Sequence, residues 1–160
     1  MGARETALNA LIACRKEGAW GNAVLKDYIQ RDRLGSRDAA LATRLTYGVL
    51  QNRSKLDFYL KQLLTGRLKD LHPVVRDILH LGLYQICFLD KIPASAAVNE
   101  AVAQAKKYCP GQRWASGLVN AVLRKVSQNK YHLPPIPNRD DEQILSLQYS
   151  HPKWLVKRLL

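Results

Sequence analysis

Apolar residues recur three and four positions apart along nearly the whole chain, and no stretch alternates apolar with polar long enough for a half-buried strand. This spacing predicts an all-α protein of about seven helices. The first runs from about Arg4 to Lys16, with Ala7, Leu8, Leu11 and Ile12 on one stripe. Gly18 and Gly21 interrupt it, "GAWG" reads as a turn, and Asn22 is the expected N-cap of the second helix. The third covers about Ser36 to Leu50. Ser36 is its expected cap, Asp38 sits in the electropositive first turn, and Leu41, Leu45 and Val49 share a face. A fourth, about Ser54 to Leu64, presents Leu56, Tyr59, Leu60 and Leu63.

"PVVRDILHLGLYQICFL" opens with Pro73 and is apolar around most of its circumference, which predicts a central, buried fifth helix. "DKIP", Asp90 to Pro93, turns into an Ala-rich sixth helix reaching about Tyr108, whose small side chains allow close helix approach. Cys109-Pro110-Gly111 stops it. The seventh, about Gln112 to Gln128, aligns Leu118, Val122 and Val126 while Arg113, Arg124 and Lys125 point outward. "NKYHLPPIPNR" then places three prolines between polar flanks and reads as an extended linker. A short helix is expected from Asp140 to about Tyr149, and an amphipathic one from Pro152, where Ser150 or His151 can cap. The expected division is a helical domain over residues 1–128, then a linker and the start of a further region over 129–160.

A chain of 160 residues with 47% apolar content can bury one real core without staples. Cys14, Cys87 and Cys109 are odd in number and scattered, so neither a disulfide framework nor a zinc site is supported; three buried thiols in a reducing cytoplasm are expected. No apolar run reaches the roughly 18 residues that span a bilayer, and Met1 to Arg4 leads straight into a helical pattern. A cytoplasmic protein without a membrane partner is expected. The net charge of +12 changes the picture more, because a surplus of this size points to a polyanion or an anionic surface. Between Glu100 and Asp140 there is no acidic residue, while Lys106, Lys107, Arg113, Arg124, Lys125, Lys130 and Arg139 all fall inside. One end of the fold is therefore expected to be strongly positive.

Candidate chemistry is sparse. His72, His80, His132 and His151 are dispersed and sit beside no nucleophile signature, and His80 lies in the apolar fifth helix, where a hydrogen-bonded core histidine is the expectation. No phosphate-binding glycine loop follows a strand, and Asp140-Asp141-Glu142 suits a helix start better than a metal cluster. What remains are basic residues interleaved with aromatics: Arg44, Tyr47 and Arg53 at the end of the third helix, and Tyr108, Arg113 and Trp114 around the break before the seventh. Cations give salt-dependent phosphate affinity and exposed rings stack on unpaired bases, whereas the same residues could be core aromatics and a solvated charged face.

"LATRLTYGVLQN", "ILHLGLYQICFLDKIPASAAVNEAVAQAKKY" and "ASGLVNAVLRKV" resemble successive signatures of the NusB-like helical RNA-binding fold, over most of the chain up to about Gln128. Within that fold the sparse Arg4 start, Val119 to Lys125, "TRLTYGVL" and "YSHPKWLVKRLL" look like the N-terminal domain of the RsmB (Sun/Fmu) family of bacterial 16S rRNA cytosine-C5 methyltransferases. The resemblance implies rRNA targeting, with 16S rRNA and the family's own methyltransferase domain as partners. It places the S-adenosylmethionine site and the catalytic cysteines in a separate, later domain, so no cofactor and no catalytic residue are expected here; Cys109-Pro110 reverses the family's Pro-Cys order and receives no role. The 160-residue chain is expected to be inactive, cut at a domain border with Pro152 to Leu160 as the first helix of the methyltransferase region. Expected RNA contacts are Arg44, Arg53, Lys106, Lys107, Arg113, Arg124 and Lys125. The alternatives are an antitermination factor of the NusB type, binding leader RNA with a ribosomal protein, and a helical interaction module without RNA.

Overall fold

The computed structural model describes residues 2–17, 21–64, 66 and 70–128. Among them are seven helices and no strand: α1 (Ala3–Glu17), α2 (Gly21–Arg31), α3 (Ser36–Gln51), α4 (Arg53–Leu63), α5 (Pro73–Phe88), α6 (Ala94–Tyr108) and α7 (Arg113–Gln128). The expected all-α architecture and helix spans are met to within a residue or two. The linker, both expected later helices and most of the "GAWG" turn lie outside the described residues.

Two expected caps differ. Helix α2 begins at Gly21, so Asn22 is its second residue and not its cap. Helix α3 takes Gly35 as N-cap, extended at φ −69° and ψ 172° with no side-chain cap bond, and Ser36 is already helical. The cause lies upstream, where Arg33 adopts a left-handed φ of 53°. Arg33 N–H donates to the Gln30 carbonyl and Leu34 N–H to the Ile29 carbonyl, the paired bonds of a Schellman ending. With Arg33 and Leu34 used to end α2, the extended residue left to start α3 is Gly35.

Helix α5 is the axis. His72 accepts a hydrogen bond from Val74 N–H, capping the start, and Pro73 occupies a first-turn position that needs no donor. Every residue from Asp77 to Ile86 is buried. Around α5 pack Leu8 and Leu11 of α1, Leu45 and Val49 of α3, Leu56 and Leu60 of α4, Ala97, Ala101 and Ala105 of α6, and Val119, Leu123 and Val126 of α7. Glycines set two close approaches. A Cβ at Gly48 would lie 2.0 Å from Cζ of Tyr84, and one at Gly82 would lie 2.5 Å from a Leu123 methyl.

The polar groups that α5 buries are each met from another helix. Asp77 accepts from Nε of Arg15 on α1 at 2.9 Å, and Gln85 accepts from Nε of Arg4 at 2.6 Å. Asp57 of α4 lies 2.6 Å from Nε2 of His80 and accepts from Arg76 at 2.7 Å. The expectation of a hydrogen-bonded core histidine at position 80 is thus met, with 4% exposure. Burial pushes the Asp57 carboxyl up, but His80 and Arg76 outweigh it and hold the group below its ordinary 3.8. Asp77 goes the other way: burial dominates over Arg15 and raises it. The thiols divide differently from expectation, with Cys14 and Cys109 buried and Cys87, near the end of α5, half-buried against the core.

Two measurements test this packing. Tyr84 is nearly buried and stacked on Phe88 at 5.4 Å, so its ring has little room to retreat. Gly48→Ala is expected to cost about 1–2 kcal/mol in urea unfolding, despite the ~1 kcal/mol that alanine gains in a helix, and Tyr84→Leu in the same chain should recover part of it. A Gly48→Ala chain at or above the parent's stability would contradict the close approach. Asp57, depressed in the fold, contributes stability that is present above 3.8 and lost as pH falls through its folded value. Asp57→Asn should therefore lower neutral-pH stability by about 1–3 kcal/mol and make the acid loss shallower, which urea midpoints taken from pH 7 downward would show.

Candidate nucleic-acid interface

The sequence between α6 and α7 dictates a tight reversal. Pro110 supplies the fixed φ of a second turn position, Gly111 takes φ +82° at the third, and Gln112 N–H donates to the Cys109 carbonyl at 3.2 Å. This is the pattern of a type II turn, for which glycine is the residue without steric cost. The reversal brings Lys106, in the last turn of α6, beside Arg113, the first residue of α7. Both line a shallow cleft of about 250 Å³ together with Gln112 and Ser116. Both are exposed, and among the described residues neither has an acidic partner. Trp114 comes next in the chain and is 49% exposed, far out for so large an apolar side chain.

The other expected contacts do not join this cleft. Lys107, one helical position from Lys106, turns to α1 and pairs with Glu5, which also accepts from the Tyr108 hydroxyl at 2.7 Å. Burial, then that bond, pushes the Tyr108 phenol up to about 12, so this ring is a structural tie and not an open stacking surface. Arg124 and Lys125 lie near the far end of α7, about 16 Å along the helix from Arg113. Arg124 Nε donates to Asn120 at 3.0 Å and lines a second cleft with Ser95 and Asn99; Lys125 lines an apolar groove on another side. Arg44 is exposed on α3, Arg53 is half-buried at the start of α4, and Tyr47 is half-buried. The expected single positive end is thus several separate positions; at the α6–α7 turn two exposed cations line one cleft, and the exposed Trp114 follows in the chain without lining it.

Spacing held the signal for that ring. On α7 the buried positions are Ala115, Val119, Val122, Leu123 and Val126, and Trp114 falls off that face. Cleft residues Gln112 and Ser116 carried no signal, because only the turn geometry brings them there.

A sequence profile of the NusB family matches residues 1–128. The chain belongs to the NusB family. Among relatives, it is 38% identical over 155 residues to the probable ribosomal RNA small subunit methyltransferase B of Bacillus subtilis, covering 96% of this chain and 34% of that protein. It is 34% identical over 156 residues to the protein of the same name in Synechocystis, again covering 34% of it. The chain thus spans about a third of the length of these relatives and corresponds to their N-terminal part. Solved structures share the fold. NusB from T. maritima superposes with a TM-score of 0.72 at 25% identity, over 82% of this chain and 91% of that one. A complex of the antitermination factors NusB and NusE with dsRNA gives 0.71 at 23% identity, over 79% and 94%. Among the described residues no helix is long and apolar enough to cross a membrane, and no three His, Cys, Asp or Glu side chains gather as a metal site would require.

Proposed function

We propose that this chain is the RNA-targeting domain of a cytoplasmic, S-adenosylmethionine-dependent 16S rRNA cytosine-C5 methyltransferase, and that its principal RNA contact is the α6–α7 turn. The observation that carries this reading is the pair of exposed cations, Lys106 and Arg113, lining one cleft, with the exposed Trp114 next in the chain, in a stretch with no acidic residue between Glu100 and Asp140. Cations on a turn supply phosphate affinity, and an exposed indole offers an unpaired base a stacking surface. The names of the relatives support small-subunit rRNA as the target class and methyl transfer as the purpose of the whole protein. The NusB structure with dsRNA supports RNA as the ligand class of the fold.

The division of labour rests on what the described residues can do. They contain no strand, hence no strand–glycine loop–helix unit to cradle a nucleoside cofactor, and they do not fit S-adenosylmethionine. Cofactor binding and catalysis are assigned to the part of the full-length relatives outside the match, which makes the protein's own methyltransferase domain the second partner. Arg44, Arg53, Arg124 and Lys125 are assigned weaker, backbone-only contacts. Lys107 contributes less because Glu5 neutralises it.

A second reading, a leader-RNA antitermination role, is favoured by one observation: the match covers 91% of T. maritima NusB, a whole chain of that type. Salt-dependent binding of the 160-residue chain to 16S rRNA fragments, a leader-type single strand and an unrelated RNA separates the readings. The structured 16S fragment should bind best. Lys106→Glu with Arg113→Glu should reduce the salt slope by about 2, and Trp114→Ala should weaken binding by ~1–3 kcal/mol. Preference for the leader strand would transfer the assignment to the second reading, and equal weak binding to all three would defeat RNA targeting by this domain.

A further inference from the structure

The α6–α7 hairpin carries two clefts of about 250 Å³ each. Lys106, Arg113 and Ser116 line the one at the turn, and Ser95, Arg124 and Ser127 line the other, at the opposite end of the hairpin. These residues correspond in pairs. Ser95 and Lys106, Arg113 and Arg124, and Ser116 and Ser127 are each eleven residues apart, which in an α-helix is about three turns, or ~16 Å, with a net rotation of only ~20°. Both clefts therefore open on one face of the hairpin, one in line with the other. Arg124 is exposed, its Nε donates to Asn120, and among the described residues no carboxylate meets its two Nη groups. Glu100 follows Asn99 in the chain but is turned ~100° from it and does not line the cleft. Between the clefts the face is bare. Along it Gly117 and Asn120 connect Arg113 to Arg124 on α7, and Asn99 and Val102 connect Ser95 to Lys106 on α6. Gly117 is exposed within the helix, and a Cβ there would meet nothing within 4 Å. Packing does not require this glycine, which costs the helix about 1 kcal/mol relative to alanine.

We propose that this face is a track for a single RNA strand, with one phosphate held at each cleft and the backbone between them lying close over Gly117. The inference rests on the RNA-targeting reading and adds to it a second anchor, at Arg124, and a direction along α7. A stacked strand carries one phosphate per ~3.4 Å, so phosphates about five nucleotides apart match the separation of the clefts. A side chain at position 117 would stand between strand and helix, and glycine removes it, the use glycine has wherever a chain must approach a ligand closely. Asn99 and Asn120 flank the path with side-chain amides, groups suited to sugar and phosphate oxygens. The two arginines fix the ends and the bare stretch lets the strand run between them.

The test is fluorescence anisotropy of the 160-residue chain with a uridine trinucleotide and a uridine decanucleotide, RNAs without base pairing that report the backbone alone. Ten stacked nucleotides reach ~34 Å and bridge the clefts, whereas the adjacent phosphates of the trinucleotide do not. Arg124→Glu is expected to weaken decanucleotide binding about tenfold and lower its salt slope by about 1, leaving the trinucleotide unchanged. Gly117→Leu should also weaken the decanucleotide about tenfold, while thermal unfolding stays level or rises, because leucine favours the helix and its Cβ meets nothing. A Gly117→Leu chain that binds the decanucleotide as tightly as the parent overturns the track. So does an Arg124→Glu chain that loses both RNAs alike, or neither. Lys106→Glu with Arg113→Glu keeps the underlying reading separate, since it should weaken both RNAs. If it weakens neither, RNA binding at the turn fails and the track fails with it; loss at that pair without loss at 117 and 124 defeats the track alone.

Discussion

Helix α5 has almost no side left for solvent, and each surrounding helix takes its place from having to cover it. An apolar element buried through ten successive residues, Asp77 to Ile86, must be wrapped by apolar stripes on several sides. The three polar side chains it takes inside narrow the solutions further, because a buried polar group without a partner is costly. Asp77 calls for Arg15, Gln85 for Arg4, and His80 for Asp57, so α1 and α4 are fixed by charge and hydrogen bonding as well as by shape. Gly48 and Gly82 then let α3 and α7 come closer than any side chain would permit. None of this polar chemistry is free to act on a ligand. Its groups are bonded to one another and enclosed, with Arg15 Nη2 left without a hydrogen-bond partner, which is why functional surface has to be sought at the periphery.

At the periphery, placement depends on angle as much as on sequence distance. Lys106 and Lys107 are adjacent, yet a step of about 100° sends one to the open cleft and the other to Glu5. Arg113 and Arg124 belong to the same acid-free stretch, yet a helix spends 1.5 Å on each residue and separates them by about 16 Å. A run of like charge in sequence therefore becomes several small positive sites in space. Where a turn folds the chain back, two of them, Lys106 and Arg113, come to line one cleft.

These rules also divide what was legible in the sequence from what was not. Helix spans were readable because burial on one face imposes a 3.6-residue period, and the centrality of α5 because its apolar residues exceed one face. The Ser36 cap was misread because it assumed that a helix starts where a capping residue stands. In the fold, the left-handed Arg33 ends α2 in a position glycine usually holds, and Gly35 inherits the start of α3. For the candidate site, the residue types were legible and their grouping was not. Seven cations were expected to act together, Tyr108 and Trp114 carried equal weight as rings, and only the packing of α1 against α6 shows that Tyr108 is tied while Trp114 stands open.

Helix α7 connects two surfaces of the domain. Its first residue, Arg113, lines the cleft at the basic turn, and Leu118, Ala121, Val122 and Lys125 farther along line the apolar groove. Val119, Leu123 and Val126 clamp it to the core, so it acts as one rigid bar between them. Phosphate affinity alone gives a domain little sequence discrimination and no defined direction toward a distant reaction centre. A flexible connection would waste what orientation the contact supplies. Because α7 is clamped along its length, whatever binds the cleft at its first turn is oriented relative to the groove farther along it.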